Sequence, residues 1–304
     1  MKIDTLSQTL TKGEDFNSHF AEMERFIEYA IREDITDPTG RIPTGDHSAL
    51  ACFPEPKPGS AKLLVKSEGI LSGLGVAEIV CRKIDPTLRM DIYMQDGNVM
   101  KWGDVAFHIH GDERSILQAE RLILNFMQRM SGIATNTRRY VDAIKDTRTK
   151  VLDTRKTTPG LRAFEKWAVR TGGGHNHRFG LYDMIMLKDN HIDFRGGIRA
   201  AILAVKQYQE AKGLNLKVEI ETRSLDDIRE VMETGHVDRI MFDNFSIEQV
   251  AQGLEMVGGK YETEVSGGIT LETIRHYAEA GPDYISVGAL THSSVSLDLS
   301  LKKI

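Results

Sequence analysis

The chain has 304 residues, of which 40% are hydrophobic and 27% charged. This composition excludes a disordered, collagen-like or low-complexity chain, and the length predicts one large or two moderate domains. The net charge of −5 excludes a global basic field, so we expect no nucleic-acid partner. Two cysteines are too few for a disulfide framework, and we see neither a secretion-signal pattern nor an apolar run of membrane-spanning length. We therefore expect a cytoplasmic protein without a membrane partner.

The first third of the sequence predicts a mixed α/β domain. Apolar residues recur at helical spacing in four segments, at 16–31, 75–84, 116–130 and 135–145. Alternating or β-forming residues predict short strands at 48–54, 61–67, 89–94 and 105–110. Between the first helix and the first strand, the Asp, Pro, Thr and Gly residues of 37–46 predict a turn-rich loop.

From residue 150 the sequence alternates short apolar runs with helical patterns. The apolar runs predict six strands, at 151–152, 184–187, 218–221, 240–242, 261–265 and 284–287. Helices are predicted between strands at 198–211, 225–234 and 271–280, the last two ending at Gly235 and Gly281. Tandem βα units predict a parallel α/β architecture, either an open sheet or a barrel. Polar residues or glycines follow every strand and would meet at one mouth, so we favour the barrel.

The region 150–188 is strongly basic. It holds eight lysines and arginines against three acidic residues, a net charge of +5, so the rest of the chain carries −10. A concentrated basic centre in an acidic protein indicates a compact anionic ligand, because nucleic-acid-binding proteins spread their charge along a surface. A solvated helix at 162–170 would explain part of this charge. It would not explain the bases that adjoin strand ends and glycines, which are Arg155, Lys156, Arg178 and Lys188.

Two late loops, Ser266-Gly267-Gly268 and Val287-Gly288-Ala289, follow the last two predicted strands. Their glycines would let backbone N–H groups approach a phosphate, and barrels often bind phosphate after their last strands. Tight turns alone would explain either loop taken singly, whereas the two loops together favour a phosphate site.

Two carboxylates, Glu221 and Asp243, end neighbouring predicted strands. Such a pair can hold Mg²⁺ through water, bind sugar hydroxyls or stabilise a developing cation. Pairing with nearby lysines would be the structural alternative. The complementary charges come from Arg155, whose planar fork suits a carboxylate or phosphate, and from the compact cations Lys156 and Lys188.

Three long motifs make the sequence recognisable. They are Asp153-Thr154-Arg155-Lys156-Thr157-Thr158-Pro159-Gly160, Arg170-Thr171-Gly172-Gly173-Gly174-His175-Asn176-His177-Arg178 and Leu187-Lys188-Asp189-Asn190-His191. These motifs closely resemble those of the quinolinate phosphoribosyltransferase family, the decarboxylating nicotinate-nucleotide pyrophosphorylases of de novo NAD synthesis. The resemblance runs from about residue 16 to the end of the sequence. Its main departure is the loop at 35–46, which is longer than the usual family form.

The resemblance implies a fold and an assembly. The family combines an N-terminal α/β sandwich with an incomplete α/β barrel, which agrees with six predicted barrel strands instead of eight. By this resemblance the sandwich spans 1–130, the barrel spans 131–290, and a C-terminal segment at 291–304 returns to the first domain. The family forms a homodimer with shared active sites, in which the arginine matching Arg121 enters the partner's site.

The resemblance also implies the reaction. Family members join quinolinate to 5-phosphoribosyl 1-diphosphate with Mg²⁺, releasing diphosphate and CO₂ and giving nicotinate mononucleotide. Catalytic positions match Lys156, Glu221 and Asp243, and the two carboxylates also match positions that hold the ribose and, indirectly, the metal with diphosphate. The implied substrate-binding residues are Arg121, Thr154, Arg155, Lys156, His177, Arg178, Lys188, Glu221, Asp243, Ser266, Gly267, Gly268, Val287, Gly288 and Ala289.

Two alternatives stay open beside this family. A related phosphoribosyltransferase on the same fold, such as the relative associated with molybdenum-transport operons, would act on another base and lack part of the dicarboxylate-binding set, which is complete here. A catalytically dead barrel that senses phosphorylated metabolites would have lost Glu221, Asp243 or Lys156, and all three are present. The proton donor to C2 of quinolinate stays open between Lys156 and water.

Overall fold

A computed structural model describes residues 16–304. The start of the sequence, where we expect no secretion signal, lies outside these residues. The chain divides into two compact units. Of the described residues, the first unit holds 16–136 with Thr158–Gly172 and Ser294–Ile304, and the second holds Thr137–Thr157 and Gly173–Ser293. In the described part of the chain, no helix is both long enough and apolar enough to cross a membrane.

An antiparallel sheet forms the centre of the first unit. Its strands, in the spatial order β12-β1-β5-β3, are β1 (Pro58–Val65), β3 (Arg89–Ile92), β5 (Val105–Asp112) and β12 (Leu299–Lys303). A second small antiparallel pair joins β2 (Gly69–Ile70) to β4 (Val99–Met100). Along β1, Ala61, Leu63 and Val65 are buried and alternate with partly exposed residues, as in a sheet with one covered face. The strands predicted at 61–67, 89–94 and 105–110 are confirmed.

The helices of the first unit precede and follow these strands. They are α1 (Phe16–Ile35), α2 (His47–Cys52), α3 (Leu74–Ile84) and α4 (Glu113–Ala143), which continues into the second unit. The helices predicted at 16–31 and 75–84 are confirmed. The predicted break between 130 and 135 is wrong, because α4 runs through Gly132 without interruption. A Cβ on Gly132 would lie 2.1 Å from the Val295 carbonyl oxygen, so the glycine serves close packing and does not end the helix.

The strand predicted at 48–54 is also wrong, because His47–Cys52 forms the short helix α2. The Asp46 carboxylate accepts a hydrogen bond of 3.0 Å from the Ala49 N–H and caps the helix N-terminus. Ala49 is the buried residue of this helix. Six residues carry too few turns for a helical period to stand out from an alternating pattern. The turn-rich loop predicted before this segment is confirmed.

A parallel six-stranded sheet forms the second unit. Its strands are β6 (Lys150–Leu152), β7 (Ile185–Leu187), β8 (Val218–Thr222), β9 (Arg239–Asp243), β10 (Glu262–Ser266) and β11 (Tyr284–Ser286). They pair in the order β6-β11-β10-β9-β8-β7, and within the described residues β6 and β7 end the sheet without pairing to each other. The six predicted strands and the incomplete α/β barrel are therefore confirmed. Because all six strands are parallel, their carboxyl ends lie at one edge.

Helices follow the barrel strands as the βα rhythm predicts. They are α6 (Asp189–Arg195), α7 (Ile198–Lys212), α8 (Leu225–Thr234), α9 (Ile247–Val257), α10 (Ile274–Ala280) and the one-turn α11 (Ala289–His292). Gly235 and Gly281 end α8 and α10 as predicted. Both have positive φ, +68° and +94°, and Gly281 has the left-handed helical conformation common at helix ends.

The basic segment around 162–170 forms α5 (Arg162–Thr171), which belongs to the first unit. It is not a solvated helix, so that explanation of its charge is wrong. Glu165 and Lys166 are completely buried. Arg129 of α4 donates from Nε and Nη2 to Glu165 Oε1, at 3.1 and 2.9 Å, and so compensates the buried carboxylate.

Candidate active site

Lys188, Glu221 and Asp243 follow or end three neighbouring strands, β7, β8 and β9. The Lys188 Nζ donates to Glu221 Oε1 at 2.6 Å, and the Asp189 N–H donates weakly to the other oxygen at 3.4 Å. Burial raises the pKa of Asp243, and the nearby charge of Glu221 raises it further. The structure therefore brings the predicted carboxylate pair together, with one member already held by a lysine.

The loop after β10 closes on Asp243. Asn244, at φ +59°, donates from Nδ2 to Asp243 Oδ2 at 2.8 Å, and its N–H donates to the Ser266 carbonyl at 2.9 Å. A Cβ on Gly267 would lie 2.2 Å from Asn244 Oδ1, so only glycine fits there. Gly268 is exposed with open space around it, so its backbone can approach a ligand. The predicted phosphate loop thus adjoins the carboxylate pair.

Lys156 lies against the other glycine loop. A Cβ on Gly288 would lie 3.1 Å from Lys156 Cδ, and Thr291 Oγ1 donates to the Lys156 carbonyl at 3.0 Å. The Lys156 N–H donates to Thr154 Oγ1 at 3.0 Å. The segment after β6 and the Val287-Gly288-Ala289 loop after β11 therefore form one surface, as expected for strands that pair directly.

Arg155 and Arg178 lie close enough for their charges to repel. Burial lowers the pKa of Arg178, and the positive charge of Arg155 lowers it further. Arg178 Nη1 donates to the Met184 carbonyl at 3.1 Å. The buried Nε of Arg155 has no hydrogen-bond partner among the described residues. Two neighbouring guanidinium groups with an unsatisfied N–H form a site for an anion with more than one charge.

His177 lies beneath this surface and is 8% exposed. Its Nε2 lies 2.9 Å from Glu219 Oε2 and 3.3 Å from Glu264 Oε2. Its Nδ1 accepts a hydrogen bond of 2.6 Å from the Arg178 N–H. Both ring nitrogens therefore lie within contact distance of protein groups, and the predicted role of His177 in substrate binding stays a prediction.

The ring and its carboxylates share a proton. Burial alone would lower the pKa of His177, but Glu264 and Glu219 outweigh it and raise that pKa to about 10. Burial and the charge of Glu264 raise the pKa of Glu219 to about 7. The same close contact shifts both groups, so the ring and Glu219 titrate as one unit.

Arg239 completes this buried cluster. Its Nη1 donates to Glu264 Oε2 at 2.9 Å, and its Nε and Nη2 donate to Glu262 Oε2 at 3.2 and 3.0 Å. Its guanidinium stacks 4.1 Å over the ring of Tyr284. His177, Glu219 and Glu264 present three potential metal ligands, but the positive charge of Arg239 beside them disfavours a cation there.

Sequence reasoning singled out Glu221 and Asp243 but not the deeper charges Glu219, Arg239 and Glu264, although a signal was present. Parallel strands covered on both faces usually read as continuous apolar runs. Charges at alternate positions of such strands indicate the inner side of a barrel. The alternating charges are Glu219 and Glu221 on β8 and Glu262 and Glu264 on β10, and β9 begins with Arg239 and ends with Asp243 on the same face.

Arg121 is the predicted site residue that lies outside the second unit. It is on α4 in the first unit, and its side chain is exposed. Among the described residues it has neither a hydrogen-bond partner nor an ion-pair partner. Its guanidinium is therefore available to bind a ligand or another chain.

A parallel barrel with arginines, lysines and paired carboxylates at its mouth defines an α/β-barrel enzyme for anionic substrates. The family model described as "Quinolinate phosphoribosyl transferase, N-terminal domain" matches residues 46–131, and the corresponding C-terminal model matches 133–302. The chain belongs to the quinolinate phosphoribosyltransferase family.

Individual relatives cover nearly the whole chain. A protein of Nicotiana glauca, "Quinolinate phosphoribosyltransferase [decarboxylating] 2, mitochondrial", is 40% identical over 92% of this chain and 82% of its own length. The "Probable nicotinate-nucleotide pyrophosphorylase [carboxylating]" of Bacillus subtilis is 40% identical over 92% of this chain and 93% of its own. The structure of the nicotinate-nucleotide pyrophosphorylase of Francisella tularensis matches with a TM-score of 0.85 and 37% identity, covering 93% and 96% of the two chains.

Proposed function

We propose that the protein transfers the phosphoribosyl group of 5-phosphoribosyl 1-diphosphate to quinolinate with decarboxylation, giving nicotinate mononucleotide, CO₂ and diphosphate in NAD biosynthesis. The pair Arg155 and Arg178 carries this proposal, because their like charges lie close together and the buried Nε of Arg155 has no hydrogen-bond partner among residues 16–304. An aromatic acid with two adjacent carboxylates would satisfy both guanidinium groups at once. The name of the Nicotiana glauca relative includes this substrate.

Quinolinate binding falls to the basic residues of the mouth. Arg155 and Arg178 would bind the two carboxylates, with Lys156 and Lys188 nearby. Charge-assisted hydrogen bonds of this kind contribute about 1.5–3 kcal/mol each. Lys188 Nζ donates to Glu221 Oε1 at 2.6 Å, which holds the ammonium group at the mouth beside the carboxylate pair.

The phosphoribosyl donor would bind across the mouth from the quinolinate site. The Ser266-Gly267-Gly268 and Val287-Gly288-Ala289 loops offer backbone N–H groups, and Gly268 has no neighbour that would obstruct a phosphate. Lys156 lies against Gly288 and adds a positive charge at the same loop.

The carboxylates serve the chemical step. As the bond from the anomeric carbon to diphosphate breaks, its electron pair leaves with diphosphate and positive charge grows on the ribose. Glu221 and Asp243, fixed beside each other, stabilise that charge. The pyridine nitrogen then bonds to the anomeric carbon and becomes a cation. The C2–carboxylate bond breaks, CO₂ leaves, the electron pair stays on C2, and a proton from Lys156 or water completes the product.

Mg²⁺ is the cofactor that we propose. Glu221 and Asp243 supply the oxygen ligands that Mg²⁺ prefers, and a cation would relieve the repulsion that helps to raise the pKa of Asp243. When bound, the metal would neutralise charge on the leaving diphosphate. Two carboxylates are few for a site made of protein alone, so binding through water or diphosphate oxygens fits this pair better.

We also propose a homodimer in which Arg121 enters the partner's site. Arg121 is exposed and without a partner among the described residues. Large apolar side chains also stay exposed after β6 and β7, namely Leu181 at 70%, Tyr182 at 63% and Phe194 at 91%. Exposed apolar groups of this size are typical of a protein–protein interface. Sedimentation of the purified chain would measure its mass, and a monomer at assay concentrations would contradict the shared site.

A direct assay tests the proposed reaction. The purified protein should release CO₂ and form nicotinate mononucleotide only when quinolinate, 5-phosphoribosyl 1-diphosphate and Mg²⁺ are all present. Removal of the metal with a chelator should stop the reaction, and added Mg²⁺ should restore it. Turnover of a different base with no use of quinolinate would favour the related phosphoribosyltransferase. Binding of both substrates without turnover would favour the metabolite sensor.

We place the protein in the cytoplasm. Cys52 and Cys81 are both free, which suits a reducing compartment. Some relatives have names that include "mitochondrial" or "chloroplastic". Fractionation of cells that express the tagged chain would test this location, and recovery with an organelle would contradict it.

A further inference from the structure

The outer face of the first unit's sheet carries two histidines and a carboxylate that the proposed reaction does not use. His108 and His110 occupy alternate positions of β5 and therefore point to the same side. Asp91, on the outermost strand β3, lies directly opposite His108 in the strand register. The side chains of His110 and Asp91 are 36% and 64% exposed. We call these three residues the sheet cluster.

Asp91 and His110 have the spacing of two ligands on one metal ion. The Nε2 of His110 lies 3.1 Å from Asp91 Oδ2. A metal with bonds of about 2.1 Å to nitrogen and oxygen holds neighbouring ligand atoms about 3.0–3.4 Å apart. The ring of His108 has its centroid 6.1 Å from that of His110. Two imidazoles on one ion have centroids at most about 6.5 Å apart, so the three groups can share an ion once the His108 ring turns towards it.

Hydroxyl groups adjoin the other nitrogen of each ring. Ser60 Oγ lies 2.7 Å from Nδ1 of His110, and Tyr93 OH lies 3.0 Å from Nδ1 of His108. A histidine that binds a metal usually donates its second ring N–H to such a neighbour, which fixes the tautomer and directs Nε2 at the ion. The ion would displace the proton between His110 and Asp91, and each ring would keep its proton at Nδ1.

Neighbouring positive charge does not exclude a cation at the sheet cluster. Lys62 and Arg89 lie opposite His108 and His110 in the strand register. Arg89 is exposed and Lys62 is partly exposed, so water and salt screen both charges. Within residues 16–304, neither forms a hydrogen bond or an ion pair with the sheet cluster. The guanidinium of Arg239 in the barrel is buried among its carboxylates, where screening is weak.

The order Ser60, His110, Asp91 is also that of a nucleophile, a base and a carboxylate. Ester hydrolysis needs N–H donors directed at the oxyanion. The strand that carries Ser60 is β1, which pairs with β12 on one side and with β5 on the other, so its N–H groups serve the sheet. The second histidine beside the carboxylate therefore favours a bound ion over a hydrolase.

We propose that His108, His110 and Asp91 form a binding site for a divalent transition-metal ion such as Zn²⁺, with water as a further ligand. Imidazole nitrogen and carboxylate oxygen are donors that this ion accepts, and sites with three protein ligands and one water are common for it. The bound ion would tie the outermost strand β3 to β5. This inference does not rest on the proposed function, because none of the three residues is assigned to the reaction.

The test is calorimetric titration of Zn²⁺ into the full chain without a histidine tag, in excess Mg²⁺ that occupies the carboxylates at the mouth. His108→Asn and His110→Asn should each weaken Zn²⁺ binding by at least about tenfold. Ser60→Ala, which frees the ring of His110, should weaken it by about tenfold. The exposed His276 on α10 gives the matched control, and His276→Gln should keep the wild-type affinity.

Cu²⁺ gives a second readout that a purely structural role of the sheet cluster would not produce. Electron paramagnetic resonance of the Cu²⁺-loaded chain should show hyperfine coupling to two nitrogens, and His110→Asn should reduce this to one. An ion held by Glu221 and Asp243 would have oxygen ligands and would show no nitrogen coupling.

Unchanged Zn²⁺ affinity in both histidine variants overturns the proposal, as does a wild-type chain that binds no Zn²⁺. Affinity that is lost in Glu221→Gln and kept in His108→Asn would place the ion at the mouth and would also overturn it. If the histidine variants do not fold, Ser60→Ala and Tyr93→Phe decide, and unchanged affinity in both contradicts the site. Failure of the proposed function would appear elsewhere, as a wild-type protein without quinolinate-dependent CO₂ release.

Discussion

The antiparallel sheet of the first unit and the parallel sheet of the second both alternate two kinds of side chain along their strands. In β1, Leu63 and Val65 are buried, and Lys62 between them stays partly exposed. In β8 and β10 the charged residues Glu219 and Glu264 are completely buried as well. Alternating charge therefore marks the solvent face of an open sheet, but it marks the functional interior of a barrel.

Substrate choice gives the strongest test of the barrel's charged mouth. Nicotinate lacks the C2 carboxylate, so it would leave one of the guanidinium groups Arg155 and Arg178 without a partner. We expect kcat/KM for nicotinate to be lower than for quinolinate by about 10⁴, as in sites built around a polar group that the analogue lacks. Parallel assays with both acids measure this ratio, and a ratio near one would show that the arginines do not read the second carboxylate.

Removal of the mouth carboxylates should separate chemistry from binding. Glu221→Gln and Asp243→Asn should each lower kcat by about 10²–10³, because their charge matters most as the ribose becomes cationic. Calorimetric titration should show quinolinate affinity within about threefold of the wild type. In contrast, Arg155→Ala and Lys188→Ala should weaken quinolinate binding directly.

The exposed residue Glu248 on α9 offers a control of the same chemistry, and Glu248→Gln should match the wild type in both measurements. Equal losses of quinolinate affinity in the acidic and basic variants would contradict the assignment of catalysis to the carboxylates and of quinolinate binding to the basic residues.

Mixed dimers test whether the first unit contributes to the barrel's chemistry in another subunit. Arg121→Ala and Arg155→Ala should each be nearly inactive alone. If the two variants are unfolded together and refolded at equal concentration, about half of the dimers are mixed. One site in each mixed dimer then carries both defects and the other carries neither, so about a quarter of all sites should be intact.

Recovery of activity near that level supports the shared site. Mass analysis must show that the subunits have mixed. If they have mixed and activity stays at the level of the single variants, Arg121 does not serve the partner subunit.

Substitutions in the sheet of the first unit should change stability and leave substrate binding unchanged, in contrast to substitutions at the mouth of the barrel. Leu63→Ala removes a completely buried side chain and should cost about 2–5 kcal/mol of unfolding free energy. Lys62→Ala, one position away on the other face, should change it by less than about 0.5 kcal/mol. Urea denaturation measures both. The quinolinate KM of folded Leu63→Ala should equal that of the wild type, and a changed KM would contradict a purely structural sheet.

The barrel could be predicted from sequence because its strands are apolar runs at regular spacing, each followed by polar residues or glycines. The site residues followed from long motifs around Arg155, Arg178 and Lys188. Local sequence patterns gave a wrong prediction where a residue packs against a distant part of the chain. Gly132 is an example, because it packs against Val295, which lies far along the sequence. The buried contacts among His177, Glu219, Glu264 and Arg239 were not predicted, for the same reason. These contacts depend on which strands are neighbours, and strand order is not visible in any single segment.

The pairing of β12 with β1 determines when the first unit can be completed. Lys62 pairs with Lys302, and the whole barrel sequence lies between them. During synthesis, domains generally fold as their sequences emerge, beginning at the N-terminus. Here β1 must wait with one edge unpaired until β12 has been made, and an unpaired strand edge invites aggregation. The portion of the chain made first therefore finishes folding last, and its exposure on the ribosome grows with the time needed to translate the barrel.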